Sequence, residues 1–286
     1  MSCNLLKGAP VAAALDEESK AAAIKLKENN IFPCLAIVRI GERADDVSYE
    51  RSAAKRCCKV GVLVKSVVMP ESVSQDELIA KIKALNADFS VHGVLIMLPL
   101  PEYIDENAVC AALDPRKDVD GITISSMAKI YSGRGYGYSP CTAEACMELL
   151  KYYGIEISGR RIAVIGRSHV IGRPVAMLMT AADGTVTVCH TKTENMPAIV
   201  READIAVVAT GHGESIGQEH FRAGQTVIDV GTNWSEERQA LVGDVKFDEV
   251  SDIVSAISPV PGGVGSVTTS VLVAHVIKAA GADLSC

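Results

Sequence analysis

Short apolar runs alternate with segments of helical periodicity along the first 120 residues. Runs of five to eight apolar residues bounded by polar or turn residues are typical of buried strands, whereas apolar residues three and four apart predict helices. This pattern predicts strands at 34–40, 62–69 and 91–97, and helices at 16–29, 45–59, 74–85 and 105–113. We expect Asp16 to be the N-cap of the first of these helices.

A second alternating series follows residues 131–139, a Gly-rich stretch that predicts a linker or surface loop. Its predicted strands are 161–165, 185–189, 204–209, 226–230 and 255–258, with helices at 142–153 and 266–280. Strands that alternate with helices form right-handed βαβ units and a parallel sheet. We therefore expect two α/β domains, with a cleft between them as the ligand site and a dinucleotide bound by the second domain.

The segment from Arg161 to Pro174 carries the strongest single signal for a ligand. An apolar run ends at Gly166, a short turn through Ser168 follows, and Gly172 and Pro174 open a helical pattern. Backbone N–H groups and the helix dipole favour an anion at such a helix start. Because serine stands where a dinucleotide fingerprint has its second glycine, the turn by itself is only a partial match.

The residues after the strand at 185–189 bear on the choice of cofactor. An NAD-selective fold usually places Asp or Glu here to bind the ribose 2′-hydroxyl. This chain instead has His190, Thr191, Lys192 and Thr193, and Arg167 lies in the phosphate turn. These groups suit a 2′-phosphate, so the sequence favours NADP. NAD remains the alternative if Glu194 takes the role of the acid.

Composition excludes several other classes of protein. The 286 residues carry a formal net charge of −7, which argues against non-specific binding of nucleic acid. No apolar run is long enough to span a membrane, and no signal peptide is evident. Nine cysteines without metal-binding spacing indicate buried free thiols in a reducing cytoplasm, and scattered histidines predict no metal site.

An ordered series of motifs resembles the FolD-type methylenetetrahydrofolate dehydrogenase/cyclohydrolases. The matching segments cover nearly the whole chain, in the order and spacing of that family. They are residues 35–41 with Tyr49, Leu98-Pro-Leu-Pro101, Lys117-Asp-Val-Asp-Gly121, Pro140-Cys-Thr142, Gly166-Arg-Ser168, Gly172-Arg-Pro174, Cys189-His190, Asp229-Val-Gly-Thr-Asn233 and Pro259-Val-Pro-Gly-Gly-Val-Gly265.

The resemblance implies a folate-binding domain of residues 1–121 plus 267–286 and a Rossmann NADP-binding domain of residues 122–266. It also implies a homodimer joined largely through the Rossmann domains. Members of the family oxidise 5,10-methylenetetrahydrofolate to the 5,10-methenyl form and pass hydride to the nicotinamide. Many then hydrolyse the product to 10-formyltetrahydrofolate at the same site, and tetrahydrofolate serves as the carrier of the one-carbon unit.

Site residues follow from the same resemblance. Asp120 is expected to anchor the pterin, with Asp118 as its competitor for that role, and Tyr49 to line the reacting face. The other expected folate contacts are Met97, Leu98, Pro261, Gly262 and Gly263. The expected cofactor contacts are Gly166, Arg167, Ser168, Gly172, His190, Thr191, Thr210, Gly211 and Thr232.

Two positions depart from the family where cyclohydrolysis needs polar groups. The lysine expected four residues after Tyr49 is Ala53, and the glutamine expected before Leu98 is Met97. Neither replacement can transfer a proton at neutral pH. Lys55 points about 200° away from the lost lysine on a helix. Arg56 shares the face of Tyr49 but stays charged. We therefore expect a dehydrogenase with weak or absent cyclohydrolase activity.

Three alternatives remain open on these residues. The first is a fully bifunctional enzyme, in which the missing lysine is replaced by Arg56, Lys55 or an ordered water molecule. A non-catalytic folate or dinucleotide sensor would have kept the fold without the chemistry. A two-domain dehydrogenase of the shikimate type shares the architecture, although the motifs at 117–121 and 259–265 do not fit it.

Overall fold

The structure, a computed structural model, describes residues 3–282. The strands are β1 (Asn4–Leu5), β2 (Cys34–Ile40), β3 (Leu63–Met69), β4 (Gly93–Ile96), β5 (Arg161–Ile165), β6 (Thr185–Cys189), β7 (Ile205–Val208), β8 (Thr226–Asp229), β9 (Asn233–Ser235), β10 (Ala240–Val242) and β11 (Ala256–Ile257). The α-helices are α1 (Gly8–Glu28), α2 (Ala44–Val60), α3 (Gln75–Ala87), α4 (Glu106–Ala112), α5 (Ile124–Ser132), α6 (Cys141–Tyr152), α7 (Gly172–Ala181), α8 (Met196–Glu202), α9 (Phe247–Val250) and α10 (Gly265–Gly281). A 3-10 turn covers Gln218–His220.

The chain divides into two compact units, one of which is built on a three-stranded sheet. This three-stranded unit comprises Ala14–Cys141 and Thr269–Cys286. Its strands lie in the order β3-β2-β4 and all pair in parallel. Six of the seven residues of the central strand β2 are buried, as a parallel strand covered on both faces requires. Val38 of β2 pairs with Ile96 of β4, so the chain segments that follow both strands emerge at one edge of the sheet.

The six-stranded unit comprises Met1–Ala13 and Thr142–Thr268. Its main sheet has the order β1-β11-β8-β7-β5-β6, with every neighbouring pair parallel. Ile165 at the end of β5 pairs with both Cys189 of β6 and Val208 of β7. The turns after these three strands therefore lie side by side, which is where α/β sheets of this kind bind ligands. The predicted fold class is confirmed.

The expected domain bounds, 1–121 with 267–286 and 122–266, remain a prediction. The compact units differ from them in three places, of which the smallest is residues 267–268, which belong to the six-stranded unit. Residues 3–13 belong to the six-stranded unit because β1 pairs with β11. Residues 122–141 belong to the three-stranded unit, where Asp118 accepts hydrogen bonds from the chain at Ile122 and Thr123.

The prediction that Asp16 caps the first helix is wrong. Helix α1 begins at Gly8, with Pro10 in its first turn, where proline is tolerated. Asp16 lies two turns further on and is 2% exposed. Its Oδ2 accepts hydrogen bonds from Arg56 (3.0 Å) and Lys59 (2.9 Å), and its Oδ1 accepts one from Ser270 (2.9 Å). The carboxylate therefore joins α1 to α2 and α10 instead of ending a helix.

Other helix boundaries agree with the sequence patterns. Helix α3 begins after Ser74, whose side chain accepts from the Glu77 N–H, while the Glu77 carboxylate accepts from the Ser74 N–H. This reciprocal pair is a capping box. Helix α5 was not predicted, because it lies between two Gly-containing stretches; its cap is Thr123, which accepts a hydrogen bond from the Ser126 N–H.

Within residues 3–282, no helix has the length and apolarity needed to cross a membrane. The cysteines in the same residues form no disulfide bonds, and Cys34, Cys57, Cys141, Cys146 and Cys189 are buried. Cys286, also expected as a free thiol, lies outside the described residues.

Removal of the Asp16 carboxylate should destabilise the protein. Asp16→Ala leaves the half-buried Arg56 without its partner, and loss of one member of a buried ion pair costs about 3 kcal/mol. Urea unfolding should show this decrease in the free energy of unfolding. Glu17→Ala, at the next and exposed position of α1, is the matched control and should change it by about 0.5 kcal/mol or less. Equal effects of the two substitutions would contradict the assigned role of Asp16.

Candidate functional site

Helix α2 and the loop after Val119 bring two predicted folate-site residues close together. Burial raises the pKa of the Tyr49 phenol, and the charges of Asp120 and Cys141 raise it further. At neutral pH Tyr49 therefore stays protonated and serves as a neutral hydrogen-bonding group, not as a base. Both residues belong to the three-stranded unit, and the charge of Asp120 acts on the Tyr49 phenol. Their role as folate-site residues remains a prediction.

Asp120 is the carboxylate of this site that can meet a ligand. Burial raises its pKa to about 6, with a small contribution from Asp118, while a hydrogen bond to the Cys141 thiol and the charge of His275 act in the opposite direction. Asp120 is thus mainly ionised at neutral pH, although it is held in a poorly solvated place. Such a carboxylate suits ring N–H and amino donors, because charge-assisted hydrogen bonds strengthen when water is excluded.

Asp118 has its oxygens already bound within the chain. It is fully buried and accepts hydrogen bonds from the Ile122 N–H (3.0 Å), the Thr123 N–H (2.8 Å) and the Ser126 hydroxyl (2.5 Å). It therefore shapes the loop that presents Asp120. These contacts favour Asp120 over Asp118 as the pterin anchor, and that role remains a prediction.

Gly121 lets this loop lie against the chain at 138–140. Its φ is +73°, and a Cβ there would approach the Pro140 nitrogen to 2.5 Å and the Tyr138 carbonyl oxygen to 2.7 Å. Any other residue would both strain the backbone and displace this segment. Tyr138 in turn packs its ring on His275 of α10, with 4.9 Å between the ring centroids.

Cys141 and His275 are site residues that the sequence did not identify. The Cys141 thiol and the His275 Nδ1 both meet the Val119 carbonyl oxygen, at 3.3 Å and 2.8 Å, directly before Asp120 in the chain. Cys141 lies in the Pro-Cys-Thr motif, which was a usable signal. His275 lies in the apolar pattern of the last helix, and nothing in its neighbourhood in the sequence marks it.

Neither of the two positions at which the chain differs from the family, Ala53 and Met97, offers a group for proton transfer. Ala53 is fully buried on α2, and Met97, which follows β4, is 7% exposed. Lys55 is exposed on the same helix, and Arg56 is engaged with the buried Asp16 at 3.0 Å. The residues considered as replacements for the missing lysine are therefore directed to solvent or to an ion pair.

An ion pair beside Met97 is a further feature that sequence reasoning missed. Asp46 precedes Tyr49 by three residues on α2, is 8% exposed, and pairs with Arg43 at 2.7 Å. The Arg43 guanidinium also donates to the carbonyl oxygens of Leu98 (3.2 Å) and Pro99 (3.4 Å). Arg43, Asp46 and Pro99 line a cavity of about 550 Å³ together with the predicted residue Met97. The predicted residue Leu98 is not part of its lining. The helical spacing of Asp46, Tyr49 and Ala53 was the available signal.

The phosphate turn of the six-stranded unit has the geometry predicted for it. Gly166 has a φ of +128°, and a Cβ there would overlap the Ala209 carbonyl oxygen. A Cβ at Gly172 would overlap the Gly166 carbonyl oxygen. The Ser168 hydroxyl accepts from the Ile171 N–H at 3.1 Å, so it orders the turn directly before α7. The turn and the helix start together form a cradle for an anionic group.

Cationic and hydroxyl groups surround this turn. Arg167 and Lys192 are exposed, and they follow the neighbouring parallel strands β5 and β6. Thr191, which lies between His190 and Lys192 in the chain, is also exposed. The His190 Nδ1 accepts a hydrogen bond from the Lys192 N–H at 3.1 Å. Glu194 is also exposed, but it lies further along the loop. The donors expected for a 2′-phosphate thus gather at one edge of the sheet.

The six-stranded unit contains two cavities that share lining residues. One of about 430 Å³ is lined by Ser168, Thr210, Gly211 and Thr232. The other, of about 250 Å³, shares Thr232 and is lined by Pro261, Gly262 and Gly263. The last three were predicted to bind folate, and they lie in this unit, whereas Tyr49, Met97, Leu98 and Asp120 lie in the three-stranded unit. Their role towards folate remains a prediction.

The glycine at 263 is also explained within its own unit. The Gly8 N–H donates to the Gly262 carbonyl oxygen at 2.7 Å, and a Cβ at Gly8 would overlap the Gly263 carbonyl oxygen. A Cβ at Gly263 would in turn approach the Pro259 carbonyl oxygen to 2.5 Å. The segment at 259–265 is therefore held tightly against the start of α1. In the described part of the chain, no cluster of three or more His, Cys, Asp or Glu side chains forms a metal site.

Comparison with known proteins identifies the class. Residues 6–120 match the model of the tetrahydrofolate dehydrogenase/cyclohydrolase catalytic domain, and residues 140–284 match that of the NAD(P)-binding domain of the same family. The chain belongs to the tetrahydrofolate dehydrogenase/cyclohydrolase family. It is 42% identical over 276 residues to the bifunctional protein FolD of Clostridioides difficile, with 96% of each chain covered.

Solved structures of the family superpose closely on this chain. The bifunctional FolD enzyme of Campylobacter jejuni has a TM-score of 0.95 at 37% identity, with 99% of this chain and 100% of that one covered. The FolD enzyme of Trypanosoma brucei, solved with NADP cofactor and inhibitor, has a TM-score of 0.92 at 34% identity and full coverage of both chains. The family predicted from the motifs is confirmed.

The raised pKa of Asp120 should be measurable as a pH-dependent stability. Between a pH of about 4, where an unfolded aspartate ionises, and about 6, the folded protein holds a proton that the unfolded chain has released. Asp120 should therefore lower the free energy of unfolding as the pH rises across this window, by on the order of 3 kcal/mol, and its contribution should level off above it.

Asp120→Asn removes one titrating group and should make this decline shallower in urea-unfolding curves recorded between pH 4 and 7, while the part due to Asp229, whose pKa burial raises to about 7, remains. Asp45→Asn, at an exposed carboxylate of α2, is the matched control and should keep the decline. An unchanged profile in the Asp120→Asn variant would show that another group carries the pH dependence.

Proposed function

We propose that this protein is an NADP-dependent methylenetetrahydrofolate dehydrogenase with weak or absent cyclohydrolase activity. The observation that carries the proposal is the pair Ala53 and Met97, both buried in the unit that also contains Tyr49 and Asp120. The groups suited to binding a folate are present, and the groups suited to moving protons are missing.

Hydride transfer makes few chemical demands on the protein. A folate nitrogen lone pair expels hydride from the bridging carbon, and the positive charge left behind is delocalised over the two nitrogens. No base is needed, so catalysis depends mainly on position and on the exclusion of water. NADP, when bound, accepts the hydride. Asp120 is suited to hold the pterin through its N–H donors, and Tyr49 to cover the reacting face with a ring that stays neutral.

Hydrolysis of the methenyl product makes greater demands. Water must be activated and a proton delivered to the departing nitrogen, which requires a group that titrates near neutral pH. Ala53 and Met97 have no such group. Lys55 is exposed, Arg56 is paired with Asp16, and Tyr49 has a pKa raised above its ordinary value. These contacts support loss of the second activity.

The names of the relatives favour the alternative of a bifunctional enzyme. The Clostridioides difficile and Campylobacter jejuni proteins are both named as bifunctional, at 42% and 37% identity. In that case a water molecule or an arginine would take the place of the family's lysine. The two functions differ in one measurable step, the conversion of methenyl- to 10-formyltetrahydrofolate.

The preference for NADP rests on charge. Arg167 and Lys192 lie exposed beside the phosphate turn, and a guanidinium binds a phosphate through a fork of N–H donors. The Trypanosoma brucei relative was solved with NADP. We also infer a homodimer joined through the Rossmann domains and a cytoplasmic location. The edge strand β6, with Val188 39% exposed, supports the dimer.

The decisive assay for the second activity is hydrolysis of 5,10-methenyltetrahydrofolate by the purified protein, compared with the buffer blank. We expect the rate to equal the blank while NADP-dependent oxidation of the methylene form proceeds. The double variant Ala53→Lys with Met97→Gln should raise hydrolysis above the blank, because it restores both polar groups.

Lys55 is the alternative candidate for the base, so Lys55→Ala is the control. It should leave the rates of oxidation and of hydrolysis unchanged. Fast hydrolysis by the unaltered protein, lost in Lys55→Ala or Arg56→Gln, would establish the bifunctional alternative instead.

Selectivity for the cofactor should depend on Arg167. Arg167→Ala removes a charge-assisted contact worth about 1.5–3 kcal/mol, so the KM for NADP should rise by roughly 10-fold or more while that for NAD stays nearly constant. Steady-state kinetics with each nucleotide measures both constants. Arg160→Ala, before the opposite end of β5, is the control. A parallel rise in both constants would contradict recognition of the 2′-phosphate.

A further inference from the structure

Asp244 is a fully buried carboxylate that the reaction itself does not use. It follows β10 and Gly243, and it lies beneath the turn after β7. Its Oδ2 accepts hydrogen bonds from the Thr210 N–H at 2.6 Å and the Gly211 N–H at 2.9 Å. One oxygen atom thus holds two successive backbone groups of a turn that lines the larger cavity of the six-stranded unit.

The second oxygen of the same carboxylate reaches the turn after β8. The Asn233 Nδ2 donates to Asp244 Oδ1 at 2.9 Å. A Cβ at Gly231 would overlap this oxygen, so the chain passes directly against the carboxylate. Asp244 therefore joins the turns after two neighbouring parallel strands, β7 and β8, at the edge of the sheet where ligands bind.

A second carboxylate, Asp229, fixes Asp244 in turn. The Asp229 Oδ1 accepts from the Asp244 N–H at 3.0 Å and from the Gly231 N–H at 3.0 Å, and its Oδ2 accepts from the Val245 N–H at 2.9 Å. A Cβ at Gly243 would overlap Asp229 Oδ2. Both carboxylates are thus surrounded by N–H donors, and both glycines are required for their close approach to the chain.

We propose that Asp244 is a positioning residue for the dinucleotide. It holds the turns at Thr210–Gly211 and Gly231–Asn233 in the shape that receives the cofactor. The inference rests on the proposed NADP-binding function of this unit, because Thr210, Gly211, Thr232 and Asn233 line the same cavity of about 430 Å³ as Ser168 of the phosphate turn. Asp244 acts through these turns and also forms part of the cavity wall.

The chemistry requires a carboxylate at this position, because every partner is a donor. In Asp244→Asn, the new amide NH₂ faces either the N–H groups of Thr210 and Gly211 or the NH₂ group of Asn233. Either orientation sets donor against donor, and buried donors without an acceptor are costly. In Asn233→Asp, two carboxylates face each other without a donor between them. Each single variant therefore disturbs the turns.

Exchange of the two residues restores the pairing. In the double variant Asp244→Asn with Asn233→Asp, the new amide oxygen at position 244 again accepts from Thr210 and Gly211, and the new amide NH₂ donates to the carboxylate at position 233. The total charge is unchanged. This rescue separates the pairing of donors and acceptors from a general need for an acidic residue at position 244.

The test is direct binding of NADPH to the purified full-length protein, followed by nucleotide fluorescence, with melting temperatures recorded for every variant. We expect each single variant to bind at least about 10-fold more weakly than the unaltered protein, and the exchange variant to recover most of that loss. Binding of tetrahydrofolate, measured separately, should stay within about twofold in all variants. Its candidate residues Tyr49 and Asp120 belong to the other unit, and Pro261, Gly262 and Gly263 take part in none of the altered hydrogen bonds.

Two results would overturn the inference. The first is that the Asp244→Asn variant binds NADPH as tightly as the unaltered protein. The second is that the exchange variant binds NADPH no better than the weaker single variant. Failure of the unaltered protein to bind NADPH would instead overturn the proposed cofactor. A folded exchange variant keeps the test decisive even where a single variant fails to fold.

Discussion

Buried carboxylates that accept backbone N–H groups hold the loops of both candidate sites. Asp118 binds the chain at Ile122 and Thr123, and Asp244 binds it at Thr210 and Gly211. An ionised carboxylate has only acceptor sites, so a loop that turns several N–H groups inwards satisfies it. Removal of such an acceptor would leave buried donors without partners, which is costly. The shapes of these loops thus depend on a few charged oxygens.

The residues that hold a loop in shape therefore differ from those proposed to contact the substrate. Of the two aspartates in the Asp-Val-Asp-Gly motif, Asp118 has its oxygens bound within the chain. Asp120, whose pKa burial raises to about 6, is the one that we propose for the ligand. Hydride transfer needs correct positioning of the substrate and exclusion of water, so it can proceed with such groups. A reaction that needs proton transfer requires a further titrating group, and Ala53 and Met97 do not supply one.

Strands, turns and the family were predictable from the sequence, because they depend on local patterns. The apolar run at Cys34–Ile40 is the observed strand, and the phosphate turn requires glycine at 166 and 172 for reasons visible in the motif. Asp16 was misinterpreted because its neighbours in the sequence resemble a helix start, whereas its partners Arg56 and Lys59 are some forty residues away in the sequence.

The remainder of the site depends on contacts between distant segments. Nothing near Asp244 in the sequence shows that its carboxylate meets Thr210, 34 residues earlier in the chain. The same holds for His275 beside Val119, at a separation of 156 residues. The pair Arg43 and Asp46 was close enough to be found, since the two residues lie one helical turn apart, but their link to Leu98 becomes evident only in the folded chain.

The most direct test of the central claim is the stoichiometry of products in one reaction. The protein is given 5,10-methylenetetrahydrofolate and NADP, and NADPH and 5,10-methenyltetrahydrofolate are measured together, with the spontaneous hydrolysis of the methenyl form recorded in the same buffer. A dehydrogenase without a group for proton transfer should produce the two in equal amounts after that correction. NADPH that exceeds the methenyl form, with 10-formyltetrahydrofolate accounting for the difference, would contradict the account.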